Sequence, residues 1–92
     1  MDKMEIQEKL VTILARHTSV DRSAFTPNKD LKLDLGLDSL DMAEIVYEME
    51  ATFGIRIADE SAERIRKISD TVDFVHEKMT EPTQDGLSTQ EQ

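Results

Sequence analysis

The stretch DLGLDSLDMAEIVY (residues 34–47) decides how this chain folds, because a loop turns into a helix inside it. Asp38 has a short side-chain oxygen that accepts one of the backbone N–H groups a first helical turn leaves without a partner, which makes it a strong N-cap. Asp41 follows three positions later, where an acid meets the positive end of the helix dipole. Gly54 is placed to end the segment in the left-handed conformation. A helix over residues 38–53 is therefore predicted. At about 100° per residue, Met42, Ile45, Val46, Met49 and Phe53 gather in one arc and form a core face. Asp41, Glu44, Glu48 and Thr52 fill a second, acidic arc. Leu40, Ala43 and Tyr47 make a third arc, apolar and turned away from the core face. A helix on the outside of a small bundle needs only one buried stripe, so this third arc packs under a loop or faces a partner. The acids beside it read either as a solvated face or as a docking surface, with charge guiding approach and the apolar strip supplying contact.

Upstream, Ile6, Leu10, Ile13, Leu14 and His17 recur at spacings of three and four and predict a first helix over residues 4–18. Residues 20–37 hold Pro27, Asn28 and Asp30 and show no sustained period. They read as a long loop with a short helical turn near residues 21–25. Val20, Phe25, Leu31, Leu33 and Leu35 imply that this loop packs across the core. Downstream, residues 59–66 predict a short third helix that opens on acids and closes on Arg64 and Arg66. A fourth helix, capped by Ser69 or Asp70, runs to about Met79 with Val72, Val75 and Met79 inward and Phe74 beside them. The ending EPTQDGLSTQEQ is polar, proline-led and aperiodic, and is expected to be a disordered tail. No internal repeat and no convincing alternating strand is present. The predicted fold is all-α, a small four-helix bundle of three longer helices and a short third one, with a long loop between helices 1 and 2.

Ninety-two residues suffice for one domain, and 38% apolar residues for a small core. Twenty acids against 11 Lys and Arg give a formal charge of −9. Such a balance speaks against nucleic acid and anionic membranes as partners, and favours proteins with basic patches. The absence of cysteine removes disulfides, thiolate metal sites and cysteine nucleophiles. Neither a signal peptide nor a run long enough to cross a membrane is visible, so no membrane insertion is expected and the cytoplasm is the expected compartment.

Ser39 is the residue with a chemical question attached. At the first turn of the second helix it stands where unpartnered N–H groups and the dipole favour an anion, so a phosphate ester on its hydroxyl would be well placed. Gly36 just before it allows another protein's backbone to come close. Ser39 also reads as a second capping candidate. As a hydrolase nucleophile it lacks the G-x-S-x-G elbow, and His17 and His76 are the only histidines to serve as a base. The carboxylates show no EF-hand spacing, and no metal site is expected.

Residues 34–63, DLGLDSLDMAEIVYEMEATFGIRIADESAE, closely resemble the core of the acyl carrier proteins, whose signature is D-x-G-x-D-S-L. The resemblance continues into ISDTVDFV and covers roughly residues 6–79, implying a carrier domain over 1–79 and the tail over 80–92. It implies that Ser39 is an attachment point and not a catalyst. A phosphopantetheinyl transferase would place 4′-phosphopantetheine on the hydroxyl, and the thiol of that arm would carry acyl groups as thioesters. Asp38 would help the transferase hold its metal. Partner recognition would fall to Leu40, Asp41, Ala43, Glu44, Tyr47, Glu48 and Glu50, and Val46, Met49, Ile57, Ala62 and Ile65 would line a cavity for the acyl chain. The last five serve equally as plain core. The implied partners are the transferase and acyl transferases and synthases with basic docking patches, and the chain is expected to be a monomer with no turnover of its own.

Several positions depart from the family's pattern. Leu33 replaces an acid, Leu37 a small residue, Ala58 a proline and Ala51 an acid, while Glu48 adds one. Arg56, Arg64, Arg66 and Lys67 make the third-helix region more basic. A carrier for a polyketide, aminoacyl or other dedicated pathway therefore stands beside a fatty-acid carrier. An acidic interaction protein without a prosthetic group is the alternative of a different class.

Overall fold

The computed structural model describes residues 1–80; the stretch expected as a tail, 81–92, lies outside the described residues. Four helices form the bundle: α1 (Lys3–Ala15), α2 (Ser39–Phe53), α3 (Asp59–Arg64) and α4 (Ile68–Thr80). α1 packs against both α4 and α2. The all-α fold, the short third helix and the long first connection agree with the sequence expectation.

The element ends differ in instructive ways. α1 begins one residue early because Asp2 caps it, accepting the Glu5 N–H at 2.9 Å. It stops at Ala15 and not at Thr18. Arg16 and His17 donate their N–H groups to the carbonyls of Ile13 and Leu14, an i to i−3 pattern that tightens the last turn. Thr18 then turns its hydroxyl to the Leu35 carbonyl and accepts the Val20 N–H, both at 3.3 Å. Side-chain bonds of this kind compete with helix continuation. α3 ends at Arg64 and not Arg66, because Ile65 takes an extended conformation that buries its side chain. The Arg66 carbonyl is thereby freed to accept the Leu31 N–H at 2.8 Å. α4 starts at Ile68, ahead of both expected caps. Asp70 instead reaches back from the first turn to accept the Lys67 N–H, and the Ser69 N–H bonds the Pro27 carbonyl. The helix reaches Thr80, one residue past its expected end.

The core is continuous. α1 contributes Ile6, Leu10, Val11, Ile13 and Leu14, α2 Met42, Ile45, Met49 and Phe53, and α4 Ile68, Val72 and Val75. Phe74 and Met79 pack at its edge. Thr71, the one buried polar residue among those described, donates its hydroxyl to the Lys67 carbonyl at 2.9 Å. That bond removes the cost of burying an unsatisfied hydroxyl.

The long connection carries a 3₁₀ turn at Arg22–Ala24, where a helical turn was expected. Phe25, Leu31 and Leu35 plug into the core as predicted, with Val20 partly buried against it and Leu37 joining them, but Leu33 does not: it is 80% exposed. Asp30 explains the difference. Its carboxylate accepts the N–H groups of Lys32 and Leu33 at 2.9 and 2.8 Å, while Asp34 accepts the Asp30 N–H at 2.7 Å. These bonds curl residues 30–35 into a turn that sends Leu31 and Leu35 inward and Leu33 out. A single bridge between Asp30 and Lys67 clips the turn to the α3–α4 junction.

The Asp30 carboxyl is held below the ordinary aspartate range, first by the Leu33 N–H, with desolvation opposing and the Lys32 N–H assisting. A carboxyl depressed in the folded state stabilises the fold above its unfolded pKa, about 3.9, and that contribution is lost as pH falls through the folded value. Asp30→Asn, which mimics the neutral acid, should therefore lower the melting temperature at pH 7. The gap to the parent chain should close below about pH 4. An equal gap at both pH values, in thermal melts followed by circular dichroism, would show that charge at Asp30 is not what holds the turn.

Candidate functional site

The N-terminus of α2 is built by a reciprocal cap. Asp38 Oδ1 accepts the Asp41 N–H at 2.8 Å, and Asp41 Oδ2 accepts the Asp38 N–H at 3.2 Å. The Asp41 N–H is also the first reason the Asp38 carboxyl lies below the ordinary range. With Asp38 as cap, Ser39 is the first helical residue and is exposed. Among the described residues no side-chain hydrogen bond engages its hydroxyl. The capping role left open for Ser39 by sequence therefore falls to Asp38, and the serine oxygen is uncommitted.

Gly36, three residues earlier, has φ +71°, and a Cβ built there meets no atom within 4 Å. Glycine is needed for the left-handed turn, and the open space above it suits the approach of another molecule. No strand runs into Ser39, and no histidine bonds it, so the arrangement of a serine hydrolase is not assembled here.

The three arcs of α2 are distributed as the periodicity implies, with one change of role. Met42, Ile45, Met49 and Phe53 are buried, and Val46 packs partly buried beside them. Leu40 and Tyr47 are 69% and 73% exposed, and Ala43 between them is exposed as well. This apolar strip is not covered by the loop. Glu44 faces solvent and Asp41 is half-buried.

Glu48 and Glu50 are engaged within the chain. Glu48 meets Arg16 through Oε1 and His17 Nε2 through Oε2, the latter at 2.6 Å. Its carboxyl is held below the usual glutamate range, first by the His17 hydrogen bond, with burial opposing and Arg16 assisting. The pair ties the end of α1 to the middle of α2. Glu50 Oε2 accepts the Ile57 N–H at 2.8 Å and so braces the α2–α3 connection. Of the acids expected to recognise partners, Glu44 faces solvent near Ser39, while Asp41 is half-buried and shares its carboxylate with the cap. The sequence reading missed the His17–Glu48 contact. A signal was present: His17 closes the α1 stripe, and Glu48 lies next to Met49 at the border of the core face.

The residues expected to meet an acyl chain lie together on the inner side of α2, α3 and their connection. Met49, Ile57 and Ile65 are buried, and Val46 and Ala62 are half-buried against them. Ile65 also lines two surface clefts, one with Ser61, Arg64 and Phe74, the other with Asp30, Leu33 and Arg66.

A family model described as the phosphopantetheine attachment site matches residues 8–75. An acyl carrier protein of Rubrobacter xylanophilus is 42% identical over 80 residues, spanning 87% of this chain and 99% of its own. One from Guillardia theta is 40% identical over 79 residues, spanning 86% and 98%. Among solved structures, the acyl carrier protein of Enterococcus faecalis, studied for its high thermal stability, superposes with a TM-score of 0.75 at 32% identity. That likeness covers 85% of this chain and 99% of the other.

Proposed function

Because this chain belongs to the acyl carrier protein family, which carries acyl groups of fatty acid synthesis on a 4′-phosphopantetheine arm, we propose that Ser39 is the hydroxyl that bears the arm. The observation that supports this most is the uncommitted Ser39 hydroxyl at the first turn of α2, with Asp38 already filling the cap. A phosphodiester at Ser39 fits there, since the dipole of α2 favours negative charge at that end and the space over Gly36 is open. When bound, the arm supplies a thiol, the group a chain without cysteine lacks.

The chain's own residues do the rest. Asp38 and Asp41 fix the first turn so that Ser39 is presented outward. Leu40, Ala43 and Tyr47 offer apolar contact to a transferase, acyl transferase or synthase, and Asp41 and Glu44 attract the basic patch of that enzyme. Glu48 and Glu50 act within the fold, positioning α2. The inner group of Val46, Met49, Ile57, Ala62 and Ile65 receives the acyl chain, with the clefts at Ile65 as its points of entry. The protein works as a monomeric domain over residues 1–79 and performs no turnover itself. Among the described residues no helix is long and apolar enough to cross a membrane.

The direct test is an intact mass after incubation with coenzyme A, Mg²⁺ and a broad-specificity phosphopantetheinyl transferase. A gain of one phosphopantetheine is expected, and no gain overturns the reading. Charge makes a second prediction. Glu44→Lys should slow the transferase by roughly tenfold in kcat/KM at low salt, since steering fields change on-rates by 10–1000-fold. The deficit should shrink at high salt, and the melting temperature should stay nearly unchanged because Glu44 is exposed. Equal rates at low salt would reduce the acidic face to a solvated surface.

A further inference from the structure

We infer that the surface formed by Lys32, Leu33, Arg66 and Lys67 docks an acidic segment of a partner protein, opposite in charge to the enzymes that α2 attracts. The backbone sets its two pieces side by side. The Leu31 N–H donates to the Arg66 carbonyl at 2.8 Å, and the Ile68 N–H to the Lys29 carbonyl at 3.1 Å. Leu31 and Ile68 enter the core, while Lys32, Arg66 and Lys67 are left exposed. Leu33 stands in the same turn and is the most exposed large apolar side chain among the described residues.

The charges carry the argument. Together with the half-buried Lys29, these cations are four of the chain's 11 Lys and Arg, gathered in two short segments of a molecule with a formal charge of −9. Among the described residues Lys29, Lys32 and Lys67 have no ion pair, and Arg66 has only a loose one, its Nε 3.8 Å from Asp30. The neighbouring aspartates are engaged by backbone: Asp30 accepts the Lys32 and Leu33 N–H groups, Asp34 that of Asp30, and Asp70 that of Lys67. In the cleft that Lys32, Leu33, Ile65 and Arg66 line, Glu63 is the remaining acid. A lone exposed leucine is ordinary on a protein surface. Beside unpaired cations it offers contact area and charge together, the combination that gives an interface its approach and register. Leu33, Arg66 and Lys67 are also among the positions where the sequence departs from the family's pattern.

A short protein segment is the occupant that fits. A nucleic-acid duplex or an anionic bilayer spreads its phosphates over a much wider area, and this patch is bordered by the exposed Asp34 and Glu63. An acidic segment can set a carboxylate on the Arg66 guanidinium and an apolar side chain on Leu33 without reaching that border. The patch shares no residue with the strip of Leu40, Ala43 and Tyr47. A partner seated on it would cover the cleft at Ile65 between Leu33 and Arg66. That consequence for the acyl chain rests on the proposed function, but the docking does not.

The test is an NMR titration of the full 92-residue chain at low salt with short blocked peptides. A Glu/Leu peptide should shift the amide signals of Lys32, Leu33, Arg66 and Lys67 and leave those of Leu40, Ala43 and Tyr47 in place. A Lys/Leu peptide of the same length should do the reverse. Arg66→Glu and Lys32→Glu, both on exposed side chains, should each weaken the Glu/Leu peptide about tenfold or more, since like charges then meet. A Glu/Ser peptide should bind more weakly than Glu/Leu to the parent chain and equally to Leu33→Ala. No shift at the patch with millimolar Glu/Leu peptide, or binding untouched by both charge reversals, would overturn the proposal. So would phosphatidylglycerol vesicles or duplex DNA shifting the same signals more strongly, which would make the occupant a phosphate surface. Patch signals that move on dilution of the chain alone would overturn it too, by assigning the patch to the acidic α2 face of a second copy.

Discussion

Ser39→Ala is expected to reduce phosphopantetheine incorporation to zero while leaving the fold intact. The substitution removes one oxygen from an exposed side chain that makes no hydrogen bond among the described residues, and alanine is a better helix former than serine. The helix start does not depend on it, because the reciprocal bonds of Asp38 and Asp41 survive. Melting temperature and helical circular dichroism should therefore match the parent chain. The loss of incorporation should be complete, because among the described residues no other hydroxyl occupies an equivalent place. Ser61 is half-buried within the short α3, Ser69 lies half-buried in the first turn of α4, and Ser19 and Ser23 sit in the long connection. Incorporation that persists in Ser39→Ala, read as one added phosphopantetheine by mass, would move the attachment elsewhere and remove the main support for the docking face around α2.

The α2 segment was legible in the sequence because local chemistry and periodicity agree there. Asp38, Asp41 and Gly54 each do in the structure what their residue types imply, and the cap and the left-handed stop fall where expected. The same local reasoning misjudged the other ends, where a distant partner decides. Arg66 leaves α3 because Leu31 needs its carbonyl, and α4 starts early because Pro27 and Lys29 offer carbonyls to Ser69 and Ile68. Leu33 looked like core by type, yet the Asp30 turn faces it outward. The acidic arc shows the same limit at the site. Periodicity grouped Asp41, Glu44 and Glu48 correctly, but it could not show that Arg16 and His17 reach Glu48 across 31 and more positions of sequence. Composition and period describe a helix face; they do not describe what another element brings to it.

Ile45→Ala and Leu40→Ala, two substitutions on one helix, should produce opposite patterns. Ile45 is fully buried between α2 and the rest of the core, and Leu40 is 69% exposed, five residues earlier on the outer strip. Truncating a buried isoleucine loses its transfer free energy and leaves a cavity, a cost of about 2–5 kcal/mol. Small domains have only about 5–15 kcal/mol of stability to lose, and the charge of −9 opposes compaction here. Ile45→Ala should thus lower the melting temperature steeply, with a larger loss at low ionic strength where the acids repel most. Below its own transition it should still accept phosphopantetheine at near the parent rate, since Ser39, Leu40 and Glu44 are untouched. Leu40→Ala should leave the melting temperature close to the parent value, as exposed substitutions usually do, and should slow the transferase at every temperature. Parallel melts and transferase rates on the two variants decide the matter. If Leu40→Ala loads at the parent rate, the strip of Leu40, Ala43 and Tyr47 is not a contact surface for the transferase. If Ile45→Ala melts with the parent, α2 is not held by the core its burial implies, and Ser39 owes its presentation to the cap alone.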